Sequence, residues 1–310
     1  MSNQVSLIDT NNYTAMAQAM GMVAEQPKEK RSNLPRLRMI HSGIMGEKVV
    51  EGETVNVEVI KAGSYRLELP NGEYIYSKTV TIRPFIQRFM YKRFIKNMNA
   101  KAGEKKGDFC KTVMSDNLNI DLKDNMGGFN CGKPAGFVQD FKSLPESTQK
   151  LIKEIKRVRV ILGLIKLDNP TNEQGTKVKQ DEVPFIWEVD NREAFKITGV
   201  PFAKLSEMKR LLPQHHIKFS SKQGESGSGS VVYFLPVADL NVSKTIDISE
   251  EDQKSFSLFL DFIQVCNDSV IKEWEYLDPN QFVMTTGLVH TGSQVHLGTL
   301  IMQELVVLGG

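Results

Sequence analysis

The chain is poor in cysteine, with three thiols in 310 residues, at Cys110, Cys131 and Cys266. An odd, widely spaced set gives no disulfide framework and no paired C-x-x-C of a zinc site, so a reducing compartment is expected. Long apolar runs are also missing: no stretch approaches the roughly 18 residues needed to span a bilayer. The first 22 residues lack a basic start followed by a continuous apolar core, so the expectation is an unexported, soluble protein with no membrane partner. The five histidines, His41, His215, His216, His290 and His296, have no Cys or acidic partner at metal-ligand spacing. Nothing matches G-x-S-x-G, H-E-x-x-H or a paired-carboxylate site. No enzyme, metal or cofactor is therefore expected.

A net charge of +2 also looks like an absence, yet 39 basic and 37 acidic side chains are sorted along the chain. From Arg83 to Lys111 nine basic residues face Glu104 and Asp108, a net +7. Lys142 to Lys166 carries +5, and Asp239 to Asp278 carries −7. One region attracts polyanions and another repels them.

The basic run is interleaved with rings: Arg83-Pro84-Phe85-Ile86-Gln87-Arg88-Phe89-Met90-Tyr91-Lys92-Arg93-Phe94-Ile95-Lys96. Single-stranded nucleic acid needs cations along its phosphates and flat apolar surfaces for its unstacked bases. Period-two alternation would put Arg83, Phe85, Phe89, Tyr91 and Arg93 on one face of a strand; a helix would line up Arg88, Lys92 and Lys96. The bland alternative makes Phe85, Phe89 and Phe94 core and the cations a solvated edge.

Residues 1 to 33 read as an arm, and short strands follow at Thr54–Ile60, Ser64–Leu69 and Glu73–Ile82, a β-meander with its clearest turn at Asn71-Gly72. Residues 103–144, rich in Gly, Asn and Lys, form a long insertion inside a β-domain spanning 34–245. A helix at Glu146–Lys156 precedes strands at Arg157–Ile165 and Val183–Val189. Helical spacing runs from Arg192 to Leu212, and strands at Ile217–Ser220 and Val231–Val237 flank a mobile Gly-Ser loop. Residues 246–310 are a C-terminal unit, whose acidic amphipathic helix is capped by Ser249 and runs to Tyr276 ahead of an apolar tail. That tail favours self-association into a homo-oligomer.

Gly127 to Lys133 matches G-x-x-x-x-G-K but continues with proline where a magnesium-binding hydroxyl is required, so Lys133 is expected to touch phosphate without hydrolysing nucleotides. Trp187 and Tyr233 are either core or base-stacking platforms. Asp116, Asp121 and Asp124 are close in sequence, which keeps a metal-dependent nuclease or annealing enzyme as a third class.

Short strands with an inserted helix and glycine-rich loops predict an α+β, mainly β, fold: an OB-like Greek-key barrel with a long insertion and a C-terminal acidic helix, with a β-sandwich as the structural alternative. The stretch Lys156 to Leu240, with RVRVILGLIKL, VPFIWEVDNREAFKITGVPFAKL, IKFSS and VVYFLPVADL, resembles the core of bacteriophage single-stranded DNA-binding proteins over about a quarter to a third of the chain. The resemblance implies an OB-fold protein that coats single strands in phage replication or recombination, in the cytoplasm of an infected host cell. It also implies recruitment of replication or recombination proteins, here through the acidic helix 249–276. The sequence departs from that pattern in carrying its acids on a helix followed by a nearly neutral end, and the zinc-ligand cluster of some members is not visible.

The expected interface is Arg83, Arg88, Lys92, Arg93 and Lys96 on phosphates, with Phe85, Phe89 or Tyr91 stacking bases and Arg157, Arg159 and Lys133 extending the path. The alternative function is a phage virion structural or assembly protein, with the arm and the apolar end as assembly surfaces.

Overall fold

A run such as VTIRPFIQRFMYKRFIK, dense in β-branched and aromatic residues with no turn signal, favours extended backbone, and in the computed structural model it forms one 17-residue strand, β6 (Val80–Lys96). The structure describes residues 34–50, 53–101, 103–120, 122–126, 131, 141–225 and 232–276. At about 3.3 Å per residue, β6 is about 55 Å long. It is the spine of a mixed sheet.

Along one edge β6 pairs with β8 (Lys156–Leu167) over twelve positions. Its other edge is shared. β10 (Ile217–Glu225) pairs at the Val80–Ile82 end and β7 (Gly107–Lys111) at the Lys92–Lys96 end. Outward from β10 lies β11 (Val232–Leu240). Outward from β8 come β9 (Val183–Val189), β1 (Arg36–Met39), β4 (Tyr65–Glu68) and β5 (Tyr74–Ser77). Only the β1–β9 pair is parallel among these. The Asn71-Gly72 turn forms as expected: Gly72 takes φ +87° and the Asn71 side chain accepts the Glu73 N–H at 3.1 Å.

Two expectations are corrected. The sheet is open, with β11 and β5 as unjoined ends among the described residues, so the predicted barrel does not close. Its two faces are instead covered by helices, which removes the need for closure. The meander is also broken, because β3 (Glu53–Ile60) pairs with β2 (Ile44–Val50) in a separate two-stranded sheet, and the strand expected at Glu73–Ile82 is divided between β5 and β6.

On one face, α2 (Arg192–Glu207) packs Ala194 and Phe202 against Ile161, Phe185, Trp187 and Ile217. Asn191 starts this helix by accepting the N–H groups of Glu193 and Ala194. On the other face, α3 (Glu250–Tyr276) sets Phe259, Phe262 and Ile263 on Phe85, Met90, Val158 and Val160. Fully burying a side chain such as Phe259 contributes about 1.5–3 kcal/mol. A third cluster joins Tyr91, Cys110, Leu122, Cys131 and Ile155 where α1 (Glu146–Glu154) and the insertion meet β6. Asn267 of α3 ties the insertion down, accepting the Met114 N–H at 2.7 Å and donating to its carbonyl at 3.0 Å.

Candidate nucleic-acid interface

Directly opposed residues of an antiparallel pair point to the same side of the sheet. The β6–β7 register therefore builds a ladder on the α3 side: Lys92 opposite Lys111, Phe94 opposite Phe109, and Lys96 opposite Gly107. Lys156 of β8 lies opposite Lys92 on the far edge of β6. Three lysines thus stand abreast over three strands, a row about 10 Å wide. The next rung is aromatic.

Phe94 and Phe109 are 38% and 50% exposed, and their rings meet edge to face at 5.0 Å. Both rings keep a large part of their surface open to solvent, although burying it would be favourable. The Lys92 ammonium lies 4.7 Å from the centre of the Phe109 ring, within cation–π range. Beyond the rings, exposed Lys96, Lys101 and Lys106 make no ion pair among the described residues, while Lys105 contacts Asp108.

Two carboxylates partly balance the lysine row. Asp190 takes Lys92 at 3.4 Å and Lys156 at 3.5 Å, and Lys111 reaches past β6 and β8 to Glu188 at 3.3 Å. Only Lys156 is half-exposed, whereas the side chains of Lys92 and Lys111 are 17% and 33% exposed, so an anion that engages those two must displace Asp190 and Glu188. The site is a cationic platform with a two-ring step.

The expected residues are distributed over both faces, because β6 carries a bulge. Register shifts between Pro84 and Ile86, leaving Phe85 as the extra residue opposite Gly163, and the alternation inverts there. Arg83 and Phe85 consequently lie on the α3 side, with Arg88, Lys92 and Lys96. Phe89, Tyr91 and Arg93 lie on the α2 side, so the single face expected from period two does not exist.

Arg83 is buried and donates to both carboxylate oxygens of Asp252, at 2.7 and 2.8 Å, and to the Pro213 carbonyl. Phe85 is core, 5.5 Å from Phe259. Arg88 pairs with exposed Asp116 at 2.8 Å, and Arg93 with Glu154 at 3.4 Å. Tyr91 is fully buried and its hydroxyl donates to the Leu118 carbonyl.

Arg159 is buried beneath α2 among Phe89, Phe195 and Phe202, and burial pushes its guanidinium down to about 10. It donates to the Phe195 carbonyl and to Gln87, and Gly199 leaves room for it, since a Cβ there would stand 2.3 Å from its Nη2. Arg157 is exposed, 5.6 Å above Phe195 on that same side. Lys133 and, apart from Cys131, the rest of the Gly127–Lys133 loop lie outside the described residues, as do Asp121, the arm and the C-terminal tail.

Trp187 is core, edge-on to Tyr65 and Phe219. Tyr233 donates to Glu193 at 3.0 Å. Cys110 and Cys131 bring their sulfurs within 3.6 Å, both buried. The Cys131 contact, burial and nearby Asp124 push the Cys110 thiol far up. Among the described residues no group of three ligands suited to a metal ion occurs.

Sequence reasoning missed Phe109, Lys111 and Lys156 as site residues and offered Phe94 as core. The usable signal was Lys92-x-Phe94-x-Lys96 facing Phe109-x-Lys111, which mirrors itself about a hairpin. Comparison of the chain with protein-family models, curated proteins and solved structures returns no match.

Proposed function

We propose that the chain binds single-stranded DNA and coats it, through the β6–β7 ladder. The observation that carries this reading is the exposed Phe94–Phe109 pair set between lysine rungs. Such a surface supplies what an unstacked strand requires, cations for phosphate and rings for bases, and each stacked base is worth about 1–3 kcal/mol. A duplex hides its base faces and would use the lysines alone.

Lys92, Lys96, Lys111 and Lys156 take the phosphates in this reading, with Arg88 at the margin and Arg93 and Arg157 on the opposite face. An OB-type barrel is not required, since an edge strand of an open sheet presents the same chemistry. Phage replication or recombination is the setting that the resemblance implies, and Glu250, Glu251, Asp261 and Asp268 on α3 offer an acidic surface to partner proteins.

The test is binding of a labelled thirty-mer, single-stranded and duplex, at low and moderate salt. Tight, salt-sensitive preference for the single strand supports the reading, and equal or absent binding overturns it. A second reading, a virion assembly protein, is favoured by Phe256, Leu258, Leu260 and Val265 of α3, each 40–42% exposed. Large particles formed without DNA would select it.

A further inference from the structure

At the far end of β6, about 35 Å from the ladder, a cleft of about 620 Å³ opens beside Thr79, lined by the end of β8 and the segment that returns toward β9. Its size falls within the range of small-molecule sites. Four lysines border it, Lys166, Lys177, Lys179 and Lys218, against Asp168 and Asp181.

Register fixes two of the lysines. Lys218 of β10 and Lys166 of β8 both lie opposite Thr81, so they flank β6 on one face. The other two ride on the return segment, which is fastened to β8. Gln180 accepts the Leu167 N–H at 2.8 Å and donates to the Ile165 carbonyl at 3.3 Å, and the Val178 N–H reaches the Pro170 carbonyl at 3.0 Å.

The carboxylates do not cancel this charge. Asp168 is held by the Thr79 hydroxyl and Lys218, both at 2.9 Å. Lys166, Lys177 and Lys179 form no ion pair among the described residues. Three ammonium groups against the one remaining carboxylate, Asp181, leave an excess of positive charge around one opening, which a multivalent anion would offset. No aromatic side chain is among the residues that line the cleft, so it offers no platform on which to stack a base. Ammonium groups act on phosphate as point charges.

We propose that this cleft is a phosphate site, separate from the ladder, that takes a run of adjacent phosphates. Two sources share that chemistry: a free polyphosphate group and the backbone of a bound strand.

The test titrates the full chain with sodium tripolyphosphate and with the single-stranded thirty-mer. It compares wild type, a Lys166→Glu/Lys177→Glu/Lys179→Glu variant, its all-Gln counterpart, and a Lys92→Glu/Lys111→Glu control. The three cleft lysines are exposed, and the Gln variant removes charge without reversing it. Tripolyphosphate affinity that falls on the order of ten-fold or more in both cleft variants, and holds in the control, assigns a free polyphosphate source. A weaker thirty-mer complex, with the slope of log K against log salt shallower by about 2, assigns the strand backbone. Unchanged affinity for both probes in the cleft variants, or no binding of either by wild type, overturns the proposal. Loss of thirty-mer binding in the control alone bears on the ladder and leaves the cleft result standing.

Discussion

Arg83 of β6 grips both carboxylate oxygens of Asp252, the third residue of α3, in a buried bidentate pair. Asp252 also accepts the Ser249 N–H at 2.8 Å while the Ser249 hydroxyl accepts the Asp252 N–H at 3.2 Å, a reciprocal cap of the helix start. One cation of the basic run thus anchors the acidic helix instead of meeting solvent.

Breaking that pair from one side leaves a buried charge uncompensated. Asp252→Asn should cost about 3–5 kcal/mol, whereas Arg83→Met with Asp252→Leu should cost much less. Urea unfolding of the three chains decides it; equal losses would refute the coupling.

The same carboxyl gives an acid dependence. Burial alone would raise Asp252, but the Ser249 N–H, the Arg83 guanidinium and the Ser249 hydroxyl outweigh it and hold the group below its ordinary value of 3.8. The unfolded chain therefore takes up this proton first, so the contribution is full above that value and is lost as pH falls through the folded one. Wild type should lose urea resistance below about pH 4 more steeply than Asp252→Asn, and parallel profiles would contradict the assignment.

Rings on the two sides of the bulge should behave differently. Phe94→Ala and Phe109→Ala should each weaken thirty-mer binding by about 1–3 kcal/mol with little change in melting. Phe85→Ala should instead lower stability by about 3–5 kcal/mol, leaving the affinity of the folded fraction intact. Fluorescence anisotropy and thermal melts on the same samples separate the outcomes.

Gly163 sits where β6 bulges, and a Cβ there would stand 2.3 Å from the Arg83 carbonyl oxygen and 2.9 Å from the Pro84 Cα. Backbone cannot swing aside as a side chain can. Gly163→Ala should destabilise by about 1–3 kcal/mol, although alanine is the better residue for a strand on entropy alone. A melting temperature at or above wild type would show that the bulge yields.

Thiol reactivity should follow burial. Cys110 and Cys131 are buried together and the Cys110 thiol is pushed up, whereas Cys266 is half-buried on α3. Iodoacetamide should label Cys266 first in the native protein and all three in urea, read by intact mass. Equal native labelling would place the pair near solvent.

Local signals in the sequence located most elements. Asn71-Gly72 specified its turn, Val183–Val189 its strand, and Ser249 with Asp252 the start of α3, because each depends on residues within a few positions of one another. β1, β2 and β7 were not anticipated: the short ones lack a periodic run, and β7 is buried in a segment dense with Lys and Gly. The basic-aromatic character of 83–96 was legible as composition, but the fate of each ring was not.

Composition and local pattern alone determined that this chain builds a strand-rich α+β protein with a cationic, ring-bearing spine and an acidic helix, since propensity, alternation and capping act over a few residues. Tertiary structure decided which cations are free. A single extra residue at Phe85 inverts every side chain after it, so that Arg83 and Phe85 lie in the core beneath α3 while Tyr91 lies in the core on the other face. Pairing with β7, the next strand of the chain, then sets Phe109 beside Phe94. Register and burial are properties of contacts between segments, and β8 and α3, which fix the fate of Arg83 and Phe85, lie far from β6 in sequence.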